Sequence, residues 1–166
     1  LAKNAKVSFI EEEVKDIDFN LKKIVLSNRP SVNYSKLVLN YGSQTIIPKE
    51  FESLVKNRNA FSIKPFLRAY DSILKEDIFD SVNELPFVIV GSGLAAIEVS
   101  YALRKRWGDR PLKLLCDSRK INNTILKSLR NSNIDLVEKL NFDYGKILLC
   151  TGNTSPLWAQ KKLLDS

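Results

Sequence analysis

Phe87-Val88-Ile89-Val90 runs straight into Gly91-Ser92-Gly93 without a polar residue. Four consecutive apolar residues leave no solvent face, so they read as a strand buried on both sides, as in a parallel sheet. Across Leu94 to Trp107, Ala95, Ala96, Val99, Ala102 and Leu103 recur at helical spacing. Arg104-Lys105-Arg106 complement the negative end of that helix, and Gly108 stops it. A buried strand, a glycine turn and a helix predict an α/β chain and exclude an all-helical or all-antiparallel one.

The flanking segments extend the pattern. Leu112 to Cys116 reads as a second strand, and 121–131 as a helix with Ile121, Ile125, Leu126 and Leu129 inward. Ile134 to Val137 and Lys146 to Cys150 read as further strands, giving the β-α-β-α-β-β order of a Rossmann-like half. Upstream, strands are expected within 6–18, over 22–27 and over Lys36 to Asn40 (KLVLN). Pro48 starts a short helix to Val55. A second helix runs from Pro65 to Glu76, with Phe66, Tyr70, Ile73 and Leu74 on one stripe. Asp77 to Pro86 is the expected linker. The division that follows is 1–82, a β-rich segment with two short helices, then 83–150, the Rossmann-like half, then a return segment, 151–166.

Composition narrows the chemistry. With no His in 166 residues, a Ser-His-Asp triad, a Cys-His pair and an imidazole metal site are all excluded. Cys116 and Cys150 are too far apart for a CxxC motif, and each ends an apolar run, so both are expected as buried free thiols in a reducing compartment. No apolar run approaches the ~20 residues of a membrane helix. With no Met in the chain, Leu1 is not an initiator, and the expectation is a piece of a longer protein. The net charge of +7 is uneven: Arg104, Lys105, Arg106, Arg110, Lys113, Arg119 and Lys120 cluster in one stretch.

Gly91-Ser92-Gly93-Leu94-Ala95-Ala96 fits GxGxxG/A, the dinucleotide fingerprint, in its required place between strand and helix. Gly91 permits the tight turn, Gly93 lets a pyrophosphate approach the backbone, and Ala96 lets helix and strand pack closely. The amides at the helix start then face the anion. Asp117 closes the second strand, 26 residues after Gly91, somewhat beyond the usual ~20. A carboxylate there accepts from a ribose 2′-hydroxyl and repels a 2′-phosphate, favouring NAD, while neighbouring Arg119 and Lys120 are placed to reverse that choice. Glu98, early in the helix, reads either as dipole compensation or as a contact near the nicotinamide.

With these residues in view, PFVIVGSGLAAIEVSYAL resembles the pyridine-nucleotide domain of two-dinucleotide flavoproteins, the pyridine nucleotide-disulfide oxidoreductase superfamily. KILLCTGNTSP resembles its return segment, with Cys150 in an Ala position and Thr151, Gly152 and Pro156 in place. KLVLNYGSQTIIP resembles a strand-and-glycine segment of the FAD domain. The sequence is most similar to type II NADH dehydrogenases, in the version fused ahead of selenide, water dikinase. The resemblance implies NAD(H) on Gly91–Ala96 with Glu98, Asp117, Thr151 and Gly152 contributing, FAD in the intact parent, and a quinone-type acceptor. It further implies flavin-domain halves or a fused domain as partners, and a cytoplasmic location, peripheral to a membrane if anywhere near one. The chain departs from the family in carrying one glycine fingerprint instead of two, and in a short span between Val137 and Lys146.

Two rivals stand beside this reading. One is a non-catalytic or degenerate nucleotide-binding module that regulates or docks another domain. The other is nucleic-acid binding through Arg104–Lys120, which the aromatics near that cluster, Tyr101 and Trp107, support poorly as a stacking platform.

Overall fold

The computed structural model describes residues 7–78, 85–155 and 159. Most of the expected linker, and Pro156, lie outside them. Compactness divides the chain into Leu1–Gly42 with Ser155–Ser166, and Ser43–Thr154. No helix among the described residues is long and apolar enough to cross a membrane.

The first unit is a three-stranded antiparallel sheet in the order β1 (Val14–Asp18), β2 (Lys23–Leu26), β3 (Val32–Asn33). The Asp18 carboxylate accepts from the Leu21 amide at 2.9 Å and closes the turn between β1 and β2. The strand expected at Lys36 to Asn40 is not formed. The third strand falls earlier, at Val32–Asn33, and Val38 is 91% exposed. The alternation in KLVLN suits a strand, but a strand also needs a neighbour to bond its amides, and the β2 edge is taken by β3.

The second unit is built on a five-stranded parallel sheet in the order β5-β9-β6-β7-β8. Its strands are β5 (Ala60–Ser62), β6 (Phe87–Val90), β7 (Leu112–Leu115), β8 (Ile134–Val137) and β9 (Ile147–Leu149). The fold is α/β and Rossmann-like, as expected. β5, upstream of position 82, pairs in parallel with β9. A two-stranded ribbon, β4 (Gln44–Thr45) with β10 (Asn153–Thr154), joins the glycine segment around Ser43 to the one after Cys150.

Alternation along β6 assigns the two faces of the sheet. Phe87 and Ile89 enter the core beneath α2 (Phe66–Ile78), α3 (Leu94–Trp107) and α4 (Asn123–Asn131). Val88 and Val90 pack with Phe51 of α1 (Lys49–Lys56) and with Leu140, Phe142 and Tyr144 of the short span before β9. All four β6 side chains are buried, each stabilising the fold by about 1.5–3 kcal/mol.

Three details of the helices differ from expectation. In α2 the inward residues are Ala69, Ile73 and Glu76, while Phe66 and Tyr70 are exposed and stack on each other at 6.2 Å. In α3 the inward face carries Ala96, Ile97, Ser100, Leu103 and Trp107, with Ala95 and Ala102 outside. The Trp107 ring meets Phe87 edge-on at 4.9 Å, and the buried Ser100 hydroxyl donates to the Ala96 carbonyl at 2.7 Å. α4 begins after Asn122, whose side chain caps Thr124, so Ile121 is buried but not helical.

Candidate dinucleotide site

The strand order reverses at β6. β7 and β8 lie on one side of it and β9 and β5 on the other. In open α/β sheets the crevice at such a switch point, beyond the carboxyl ends of the strands, is where ligands bind. The glycine turn sits there, between the end of β6 and the head of α3.

Its two glycines answer to different constraints. Gly91 has φ +147°, and a Cβ there would stand 2.5 Å from the Cys150 carbonyl oxygen and 3.1 Å from the Ala96 Cβ. The fold itself therefore demands glycine, and Ala96 makes the close helix–strand contact expected of it. Gly93 has φ −90°, and a Cβ there would meet nothing within 4 Å. Packing does not ask for glycine at 93, and the space a side chain would fill is open. The Gly93 carbonyl accepts from the amides of Ala96 and Ile97. The earlier amides, of Leu94 and Ala95, stand at the positive end of the helix where no intrahelical acceptor exists.

Two hollows flank the turn. The smaller, about 590 Å³, is lined by Gly91 to Ala95 and by Cys150, Thr151 and Gly152, with Lys64 and Lys120 at its wall. The larger, about 820 Å³, shares Gly91, Ser92 and Thr151 and extends to Asp117, Arg119 and Glu138, with Phe51 on its apolar side. Both fall within the size range of small-molecule sites. The Thr151 hydroxyl donates to the Ile46 carbonyl and the Ile46 amide to the Gly152 carbonyl, which fixes the return segment against the ribbon.

Of the residues singled out in the sequence, Gly91, Ser92, Gly93, Leu94, Ala95, Asp117, Thr151 and Gly152 line one hollow or both. Ala96 is buried behind the turn. Glu98 is exposed on α3 and lines neither hollow. Three features were not legible beforehand. The Ser92 hydroxyl accepts from the Asp117 amide at 2.9 Å, tying the turn to the end of β7. Lys64 and Phe51 come from distant segments and show no local signal of a site. Arg119 grips Asp117: its Nε and Nη2 donate to the two carboxylate oxygens at 2.9 and 3.0 Å, and its backbone amide donates as well. These bonds hold the Asp117 carboxyl below its ordinary value.

The cysteines are free and buried. Burial pushes the Cys150 thiol up to about 12. Burial, with the charges of Glu138 and Asp117, raises that of Cys116. The basic stretch from Arg104 is largely neutralised in place. Arg106 pairs with Asp77, Arg110 with Glu76, Lys113 with Asp135, and Arg119 and Lys120 with Asp117. Arg104 donates to the carbonyls of Gly108, Arg110 and Asn133.

No protein-family model matches the chain, and no curated protein does. Solved structures share its fold. An NAD-dependent persulfide reductase from A. fulgidus matches 96% of this chain with a TM-score of 0.72 at 16% identity, over 34% of its own length. The sulfide:quinone oxidoreductase of the hyperthermophilic bacterium Aquifex aeolicus matches 96% with a TM-score of 0.66 at 16% identity, over 46% of its length. Putidaredoxin reductase, in its covalent complex with putidaredoxin, matches 85% with a TM-score of 0.63 at 15% identity, over 40% of its length. The chain thus spans less than half of each of these proteins, and the likeness is one of fold.

Proposed function

We propose that this chain is the dinucleotide-binding part of a flavin-dependent NAD(P)H oxidoreductase of the pyridine nucleotide-disulfide class, with a type II NADH dehydrogenase as the finer reading. The observation that carries the proposal is the open space at Gly93, at the head of α3 and beyond the end of the central strand. A glycine that the fold does not need leaves the helix amides bare to an approaching pyrophosphate. The solved structures support the class: one is described as NAD-dependent and another as a quinone oxidoreductase. The sequence likeness to NADH dehydrogenases supports the finer reading.

In this account the Leu94 and Ala95 amides and the Lys64 and Lys120 ammonium groups hold the pyrophosphate. The ribose end lies towards Asp117 and Arg119 in the larger hollow. Ser92, bonded to the Asp117 amide, keeps the phosphate and ribose ends in register. Nicotinamide and flavin, when bound, supply the hydride and electron chemistry, so the protein needs no catalytic His or reactive Cys.

The short span between Val137 and Lys146 favours a second reading, a nucleotide-binding module without catalysis. A fluorescence titration of NADH tests the shared premise. Saturable binding is expected, lost in Gly93→Val, and a flat titration at millimolar NADH removes both readings. NADH oxidation by the full parent protein with an added quinone then separates them.

A further inference from the structure

The sheet edge carries a third hollow, which shares only Lys64 with the smaller hollow at the glycine turn. It measures about 890 Å³ and runs beside β5. Five cationic residues line it: Arg58, Lys64, Arg68, Lys75 and Lys146. Lys146 donates to the Arg58 carbonyl and Lys64 to the Ser43 hydroxyl. None of the five has a carboxylate partner among the described residues. Glu76, the one carboxylate among the described lining residues, is engaged by the buried Arg110, whose guanidinium lies 4.4 Å over Trp107.

The contrast with the Arg104–Lys120 stretch decides where the chain's positive excess acts. There five of the seven charges pair with Asp or Glu side chains; here five like charges line one hollow with no carboxylate partner among the described residues. Like charges held together raise the energy of the folded state unless an anion joins them. Cations guarding an open sheet edge are common, but that role needs neither a hollow nor five of them.

We propose that this hollow binds a multiply charged phosphate compound of small-molecule size, on Arg58, Arg68, Lys75 and Lys146, beyond the Lys64 that it shares with the dinucleotide turn. Helix geometry argues against a lipid surface. At about 100° per residue, Arg68, Ser72 and Lys75 lie on one side of α2, and the exposed apolar residues Phe66, Leu67 and Tyr70 on another. A membrane would need both sets to face it together. The apolar patch of the lining, Val55, Ala60 and Phe61, is instead inside the hollow with the cations.

The test is calorimetric titration of the full chain with inorganic pyrophosphate, in three forms: unaltered, Gly93→Val, and Arg68→Gln with Lys75→Gln. Both residues of the double variant are exposed, so a melting curve is expected to match that of the unaltered chain. Saturable binding should persist in Gly93→Val and weaken about tenfold or more in the double variant. Loss in Gly93→Val with no change in the double variant would assign the anion to the glycine turn and overturn the proposal. Absence of saturable binding would leave the cations as edge guards. Binding of polyglutamate or of anionic vesicles in preference to pyrophosphate would equally overturn it, pointing to an acidic protein or a membrane.

Discussion

Gly91 and Gly93 stand two positions apart and are glycine for unlike reasons, which makes them separable by experiment. At Gly91 a side chain would collide with the Cys150 carbonyl in a backbone conformation that L residues rarely adopt. Gly91→Ala is therefore expected to cost about 3 kcal/mol of stability in a urea unfolding curve. At Gly93 the same added atoms enter open space. Gly93→Val should leave the unfolding free energy from a urea curve within about 1 kcal/mol of the unaltered chain while removing the rise in Tm produced by NADH. If the two variants lose stability equally, the open space at Gly93 is not a cradle. Asp117 and Arg119 pose the parallel question of which coenzyme is preferred. With both carboxylate oxygens engaged by Arg119, Asp117 is hindered from acting as a free acceptor for a ribose hydroxyl. Arg119→Ala releases it, and the ratio of NADPH to NADH affinity should fall several-fold. An unchanged ratio would mean that neither residue reads the ribose.

At the level of elements, α2 and α3 are joined through Asp77. Its carboxylate accepts from the Arg106 guanidinium and from the Trp107 indole N–H. The Arg106 bond is the largest influence holding the Asp77 carboxyl below its ordinary 3.8. A carboxyl depressed in the folded state contributes stability above its unfolded value and loses it as pH falls through the folded one. The contribution is thus present at neutral pH and fades below about pH 4. Asp77→Asn should lower stability on the order of 1 kcal/mol at pH 7, with the gap to the unaltered chain narrowing steadily as the pH falls below the carboxyl's ordinary value. A gap that does not narrow as the pH falls would show that the acid's geometry matters and its charge does not.

Elements also show what the sequence makes legible. β6, the glycine turn and α3 are local: an apolar run, two glycines and a helical period lie within 21 residues, Phe87 to Trp107, and their outcome needs no distant partner. β5, β4 and β10 are two or three residues long and exist through pairing with segments far along the chain. KLVLN fails in the opposite sense, having the pattern of a strand without a neighbour. The α2 stripe was misjudged because Phe66 and Tyr70 are apolar by type, yet the sheet takes the small Ala69 where helix and strand come close. Within the site, the turn residues were readable from their own chemistry, whereas Lys64, Phe51 and the Arg119 grip on Asp117 depend on tertiary placement.

Across the whole molecule, Cys116 and Cys150 sit one residue past the carboxyl ends of β7 and β9, and both are buried. With the Cys150 thiol pushed up to about 12, it stays protonated at neutral pH, so reaction requires the sheet to open. Neither thiol should react with an aromatic disulfide reagent at pH 8 until urea unfolds the chain. Rapid reaction of the native chain would show that the C-terminal end of the sheet opens on its own. The same end carries the account's main claim, that a dinucleotide lies across the switch point with its pyrophosphate on the head of α3. Amide chemical-shift mapping during an NADH titration tests it most directly. Shifts are expected to concentrate at Gly91–Ala96, around Asp117 and at Thr151–Gly152, with Arg58, Arg68 and Lys75 unmoved. Shifts confined to other residues, or none at saturating NADH, would contradict it.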